Sequence, residues 1–225
     1  EGFIYSDVVA LQPVALPPVL LDRVAGVDFD ADLQAEGVGI LDIRSVYDVD
    51  GVDTAPGGIM ALADPRRTTA AQRPARFLRI EKAVSLPDDD VRDFDNSAFG
   101  VTARFGMREL LGYAPVEPDG SVRVKVPADV PFAISVLDAN GRRISPRHEN
   151  WLQVRAGEEL RCNGCHDPSS GQSHGRDDLF ASVHAGTTST GQPYPNTRPA
   201  LFADFGETMA QVRARISCQT DCAAL

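Results

Sequence analysis

From Gly39 onward, apolar and polar residues alternate in short runs bounded by turn-forming residues, the pattern of half-buried strands. Strands are predicted over Ile40 to Val49, Arg76 to Ala83, Val122 to Val126 and Phe132 to Leu137. Pro118-Asp119-Gly120 precedes the last pair and Asp138-Ala139-Asn140-Gly141 follows it, both strong turn signals, while Pro127-Ala128-Asp129 reads as a tight connection. Short strands with frequent turns predict a mainly β chain with an antiparallel, immunoglobulin-like β-sandwich over residues 37–145. The insert from Val52 to Pro74, rich in Gly, Pro, Ala and Arg, reads as loop with little regular structure.

On either side of this block the pattern changes. Residues 1–36 mix Pro13, Pro17 and Pro18 with short apolar runs at Val8 to Leu11 and Val19 to Leu21, which predicts an extended strap lying across another surface. After Trp151 the alternation fades into a Gly-, Ser-, His- and Thr-rich stretch reaching Arg198. Phe205, Met209, Val212 and Ile216 then recur at helical spacing behind a capping box formed by Asp204 and Glu207. Residues 146–225 are thus a separate loop and helix segment, in which Met209 reads as a core residue of the helix.

Composition narrows the partners. Of 225 residues, 43% are hydrophobic, enough for a sizeable core. The net charge of -10 argues against nucleic acid or an anionic membrane surface and suits a carrier that meets basic patches on other proteins. No apolar run approaches the length of a membrane span. The opening Glu1-Gly2-Phe3-Ile4, without an initiator Met or a signal pattern, reads as the start of a mature or excised piece, and other domains of a longer chain join redox proteins as candidate partners.

The most specific chemistry lies in Cys162-Asn163-Gly164-Cys165-His166, a C-x-x-C-H run and the attachment signature of a c-type haem. Two cysteines three residues apart can each add to a vinyl group of one porphyrin. The histidine after the second then reaches the iron, so anchor and axial ligand come from one segment. Half a zinc site, a redox dithiol or a structural disulfide are the plainer alternatives. Zinc needs further ligands at useful spacing, and a redox dithiol needs a βαβ setting that the surroundings lack. Haem c as cofactor, with Cys162, Cys165 and His166 as its residues, is the expectation, and 146–225 becomes a haem c-binding segment. Haem attachment of this kind implies a periplasmic or secreted protein. There Cys218 and Cys222 are expected to be bridged, although residues four apart on an ideal helix have Cα atoms about 6 Å apart and the helix must break to allow it.

Taken together, Gly112 to Ser121, the strand end at Val124 to Ala128, Leu137 to Gly141 and Trp151 to Glu158 ahead of Cys162 resemble the haem-carrying middle domain of proteins related to the hydrazine synthase alpha subunit. The resemblance covers residues 40–168. It implies a β-rich domain that delivers one haem c at its edge, in a secreted or periplasmic protein whose relatives often carry further domains. Where that pattern has a tyrosine four residues past the histidine, this chain has Ser170, which favours ordinary ligation by His166. His148 stands where the resembling proteins commonly have methionine, and it is expected to be the second iron ligand, with Met107, Met209, His174 and His184 as rivals.

Other candidates read more plainly. Asp48, Asp50 and Asp53 around Gly51 lack the spacing and closing Glu of a calcium loop and read as a solvated turn. Asp88-Asp89-Asp90, with Asp93 and Asp95, reads as a solvated loop, and His174 and His184 as exposed or propionate-contacting residues. No Ser/His/Asp order, Walker loop or dinucleotide fingerprint is present. The expected function is a cytochrome domain carrying single electrons to redox partner proteins. A haem enzyme acting on a small nitrogen or oxygen compound is the alternative, and a non-catalytic sandwich with a structural haem the third.

Overall fold

The computed structural model describes residues 22–99, 106–167, 169, 207, 208, 211, 212 and 214. The first element is a helix, α1 (Ala31–Glu36), where residues 1–36 read as an extended strap. The prolines behind that expectation all precede residue 22. Asp30 starts the helix, its carboxylate accepting the amides of Asp32 and Leu33 at 2.9 and 3.0 Å, and Gly37 ends it in the left-handed conformation.

Strand β1 (Val38–Ile43) follows, then the two short strands β2 (Asp48–Val49) and β3 (Val52–Asp53), helix α2 (Ile59–Ala63) and a 3₁₀ turn at Ala70–Gln72. The stretch expected to be plain loop is therefore ordered. Asp53 holds it by accepting the amides of Ala55 at 2.9 Å and Ile59 at 2.8 Å. Ile59 and Leu62 of α2 are buried in the main core. Beyond β4 (Phe77–Ala83) and a second 3₁₀ turn at Asn96–Phe99 come β5 (Arg108–Pro115), β6 (Val122–Pro127), β7 (Phe132–Leu137) and β8 (Glu159–Cys162). The acidic run from Asp88 to Asp95 is exposed, as expected.

The protein is mainly β, a sandwich of two three-stranded sheets ordered β6-β1-β8 and β5-β4-β7. Valines 122, 124 and 126 of β6 are buried while Arg123 and Lys125 between them reach the surface, the period of two that sends alternate side chains to opposite faces. Leu41 and Ile43 of β1 meet these valines, and Leu78 and Ile80 of β4 with Phe132 and Val136 of β7 complete one shared core. Pro127-Ala128-Asp129 is the crossing from one sheet to the other. On the opposite face of the second sheet, Phe77, Leu137 and Tyr113 pack with the fully buried Val212.

One ladder departs from the antiparallel expectation. β8, which belongs to the stretch set apart as 146–225, runs parallel to β1 and pairs Ile43 with Cys162. The C-x-x-C-H motif therefore starts on a strand of the sandwich. At the far end, residues 211, 212 and 214 are helical, and Thr208 and Gln211 cap this turn reciprocally. Asp204, the expected cap, lies outside the described residues, as do Cys218 and Cys222. No helix among the described residues is long and apolar enough to cross a membrane.

Candidate functional site

From Cys162 to Asp167 the chain is fastened to residues 44–50 by four backbone bonds and one to a side chain. The amides of Arg44 and Ser45 donate to the carbonyls of Cys162 and Asn163 at 2.8 and 3.1 Å. The Cys165 amide donates to Asp48 O at 2.7 Å, Asp50 N donates to Cys165 O at 3.1 Å, and Asp167 N donates to the Asp50 carboxylate at 2.8 Å. Such close approach is possible only because the middle residue is glycine. A Cβ on Gly164 would lie 2.1 Å from Asp48 O and 2.7 Å from Ser45 O.

The floor of the motif is itself braced. Ser45 Oγ donates to Asp119 O at 2.7 Å and Val46 N to Gly120 O at 2.8 Å, while Asp119 accepts the amide and hydroxyl of Ser121 at 2.9 and 2.6 Å. Gly120 has φ of 85°, and a Cβ there would sit 2.5 Å from Ser45 Oγ. The Pro118-Asp119-Gly120 turn thus supports the C-x-x-C-H motif through Ser45. Nothing in its sequence beyond the turn chemistry pointed to that role.

Asp48, Asp50 and Asp53 are part of this scaffold. Asp48 is buried, where a solvated turn was expected, with Oδ1 accepting the Gly51 amide at 2.9 Å and Oδ2 without a hydrogen-bond partner. Among the described residues no three His, Cys, Asp or Glu side chains gather as metal ligands.

Cys162 and Cys165 are unbridged and pack partly buried against the main core. Burial pushes the Cys165 thiol up to about 11, with Cys162 and Asp48 adding to the effect, and burial likewise raises Cys162. A reactive dithiol needs the thiolate, which this setting opposes. A thioether carries no charge, so the same burial suits covalent attachment.

The rings of His166 and His148 lie edge-on to one another with centres 6.3 Å apart and planes at 69°. Two imidazoles holding one metal ion between them through nitrogens about 2 Å away have ring centres about 6 Å apart. His148 Nδ1 is buried without a hydrogen-bond partner. Burial lowers the His148 pKa, opposed by a hydrogen bond with the Asn150 backbone and assisted by His166 and the Arg108 charge, so the neutral, ligand-competent imidazole is the favoured form. The donors present fit a haem c held by Cys162 and Cys165 with His166 and His148 on the iron.

Of the rival ligands, Met107 is half-buried immediately before β5, and His174, His184 and Met209 lie outside the described residues, as does Ser170. Arg108 is a further neighbour of His148 that the sequence left unmarked, since an arginine opening a strand is unremarkable by itself. Its Nη2 donates to His148 O at 3.4 Å, and its guanidinium lies 4.7 Å from the Trp151 ring centre.

Residues 75–167, from just before β4 to one residue past His166, match the family model of the hydrazine synthase alpha subunit middle domain. This is the family the chain resembles. The hydrazine synthase subunit alpha of Kuenenia stuttgartiensis is 33% identical over 81 residues, which are 36% of this chain and 9% of that protein. The chain thus spans under a tenth of this relative's length. A solved structure of Kuenenia stuttgartiensis hydrazine synthase aligns over 64% of this chain and 20% of that chain, at 21% identity and a TM-score of 0.42. The matched family segment includes both cysteines and both histidines but not β1, the strand that lies between β6 and β8.

Proposed function

We propose that this chain is a c-type cytochrome domain that carries single electrons through one haem bound to Cys162 and Cys165, with His166 and His148 as axial ligands. The observation that carries it is the His148–His166 pair, 6.3 Å apart beside a C-x-x-C-H run. The haem would supply a one-electron ferrous/ferric couple. The chain's own contribution is mechanical and electrostatic. The backbone bonds from residues 44–50 hold the cysteine loop, burial favours neutral His148, and the sandwich core against which Cys162 and Cys165 pack would exclude water from behind the attached group. Imidazole in place of a thioether on the second position lowers the potential relative to a His/Met haem.

The address that suits this chemistry is periplasmic or secreted. The partner is a redox protein, and the likeness to a protein named as a subunit supports association with further subunits or domains. After maturation in a compartment that attaches c-type haem, a denaturing gel should retain haem stain on the polypeptide. Loss of all colour on acid-acetone extraction would refute the assignment.

The same likeness favours a second reading, a haem enzyme acting on a small nitrogen or oxygen compound, which would require an open position on the iron. High-spin bands that shift with carbon monoxide or cyanide would select it over the carrier.

A further inference from the structure

Arg108 stands beside His148 without being a ligand candidate, and three contacts fix its guanidinium. It lies 4.7 Å from the Trp151 ring centre, Nη2 donates to His148 O at 3.4 Å, and Nη1 is 3.8 Å from Glu81 Oε2. Trp151 follows His148 by three residues, so one side chain on β5 grips both ends of this short loop. A planar guanidinium can stack on an indole and donate in its own plane at once, whereas an ammonium cannot. The side chain is only 11% exposed, so its charge is weakly screened by solvent.

We propose that Arg108 is a positioning residue that clamps the His148 loop in its ligating conformation and whose charge raises the reduction potential of the iron. The inference rests on the haem and His148 assignments above. A cation near the iron favours the ferrous state, which carries one positive charge fewer than the ferric. Glu81 partly cancels that cation at 3.8 Å and also pairs with Arg79 at 3.4 Å, so it pulls the potential the opposite way.

The test is redox titration with optical spectra of the haem-loaded parent, Arg108→Gln, Arg108→Lys and Glu81→Gln. The parent must first show covalent low-spin haem that ignores carbon monoxide, and failure at that step refutes the haem assignment rather than the role of Arg108. Arg108→Gln should lower the potential and produce a high-spin fraction that binds carbon monoxide. Arg108→Lys should keep the potential near the parent's while the high-spin fraction still grows. Glu81→Gln should raise the potential with the low-spin spectrum intact. A residue that merely props up the fold would not move the two charge variants in opposite directions. An Arg108→Gln protein with the parent's potential and spectrum overturns the proposal, as does a Glu81→Gln potential that is unchanged or lower. If Arg108→Gln does not fold, the Lys and Glu81 variants decide.

Discussion

The amide of Cys165 donates to the carbonyl of Asp48 at 2.7 Å, with Gly164 lying directly against the Asp48 backbone. The C-x-x-C-H motif therefore continues from the β1–β8 ladder onto β2 rather than forming a free loop. Gly164→Ala would bring a methyl to 2.1 Å from a backbone oxygen that cannot swing away. The variant should lose on the order of 2 kcal/mol or more. Urea unfolding of the two proteins measures this, and equal midpoints would mean that the close approach does not exist in solution.

Glu117 supplies a pH signature. Burial, with the nearby Asp119 adding to it, holds its carboxyl up at about 8, against 4.5 for an ordinary glutamate. The fold prefers the protonated acid, so stability is unaffected below about 4.5 and is lost as pH rises through about 8. Glu117→Gln should match the parent near pH 5 and exceed it by about 1–3 kcal/mol near pH 9. Parallel unfolding curves with the same gap at both values would contradict the assignment.

Arg123 ties three strands together. It donates to Asp42 at 3.0 Å and to both oxygens of Glu159 at 2.9 and 3.1 Å, and this hydrogen bonding is the main reason Glu159 falls to about 2. Glu159 thus contributes stability above about 4.5 that disappears as pH falls toward 2, while Asp42, raised by burial, opposes the trend. With the three side chains 26–32% exposed, the net effect is about 1 kcal/mol. Arg123→Met should abolish most of that acid dependence and speed amide exchange at Leu160 to Cys162. Exchange unchanged there would show that the network does not hold β8.

Legibility followed the range of the interactions. The strands at Val122 and Phe132 were visible because alternation there records a single buried face, and the C-x-x-C-H run was visible because its chemistry is local. β5 carries no such pattern, because Arg108 and Glu109 begin it and Gly112 and Pro115 interrupt its apolar run, so pairing with β4 makes it a strand. β8 is four residues long and exists because β1 offers a parallel edge. The predicted first strand runs on to Val49 because Val46 and Tyr47 continue the apolar pattern. Beyond Ile43, however, the amides of Arg44 and Ser45 donate to Cys162 and Asn163, and the chain turns before it resumes as β2 against β3. Of the candidate site, Cys162, Cys165, His166 and His148 stand out in the sequence, whereas the supports at Ser45, Asp48, Arg108 and Gly120 come from chain segments distant from the motif.

The central claim is that His148 and His166 share one iron, and the optical spectrum of His148→Ala beside the parent tests it most directly. The parent should be six-coordinate and low-spin, unmoved by carbon monoxide. The variant should be high-spin and bind carbon monoxide, with covalent haem retained on Cys162 and Cys165. A variant spectrum identical to the parent's, or a parent that itself binds carbon monoxide, would contradict the account.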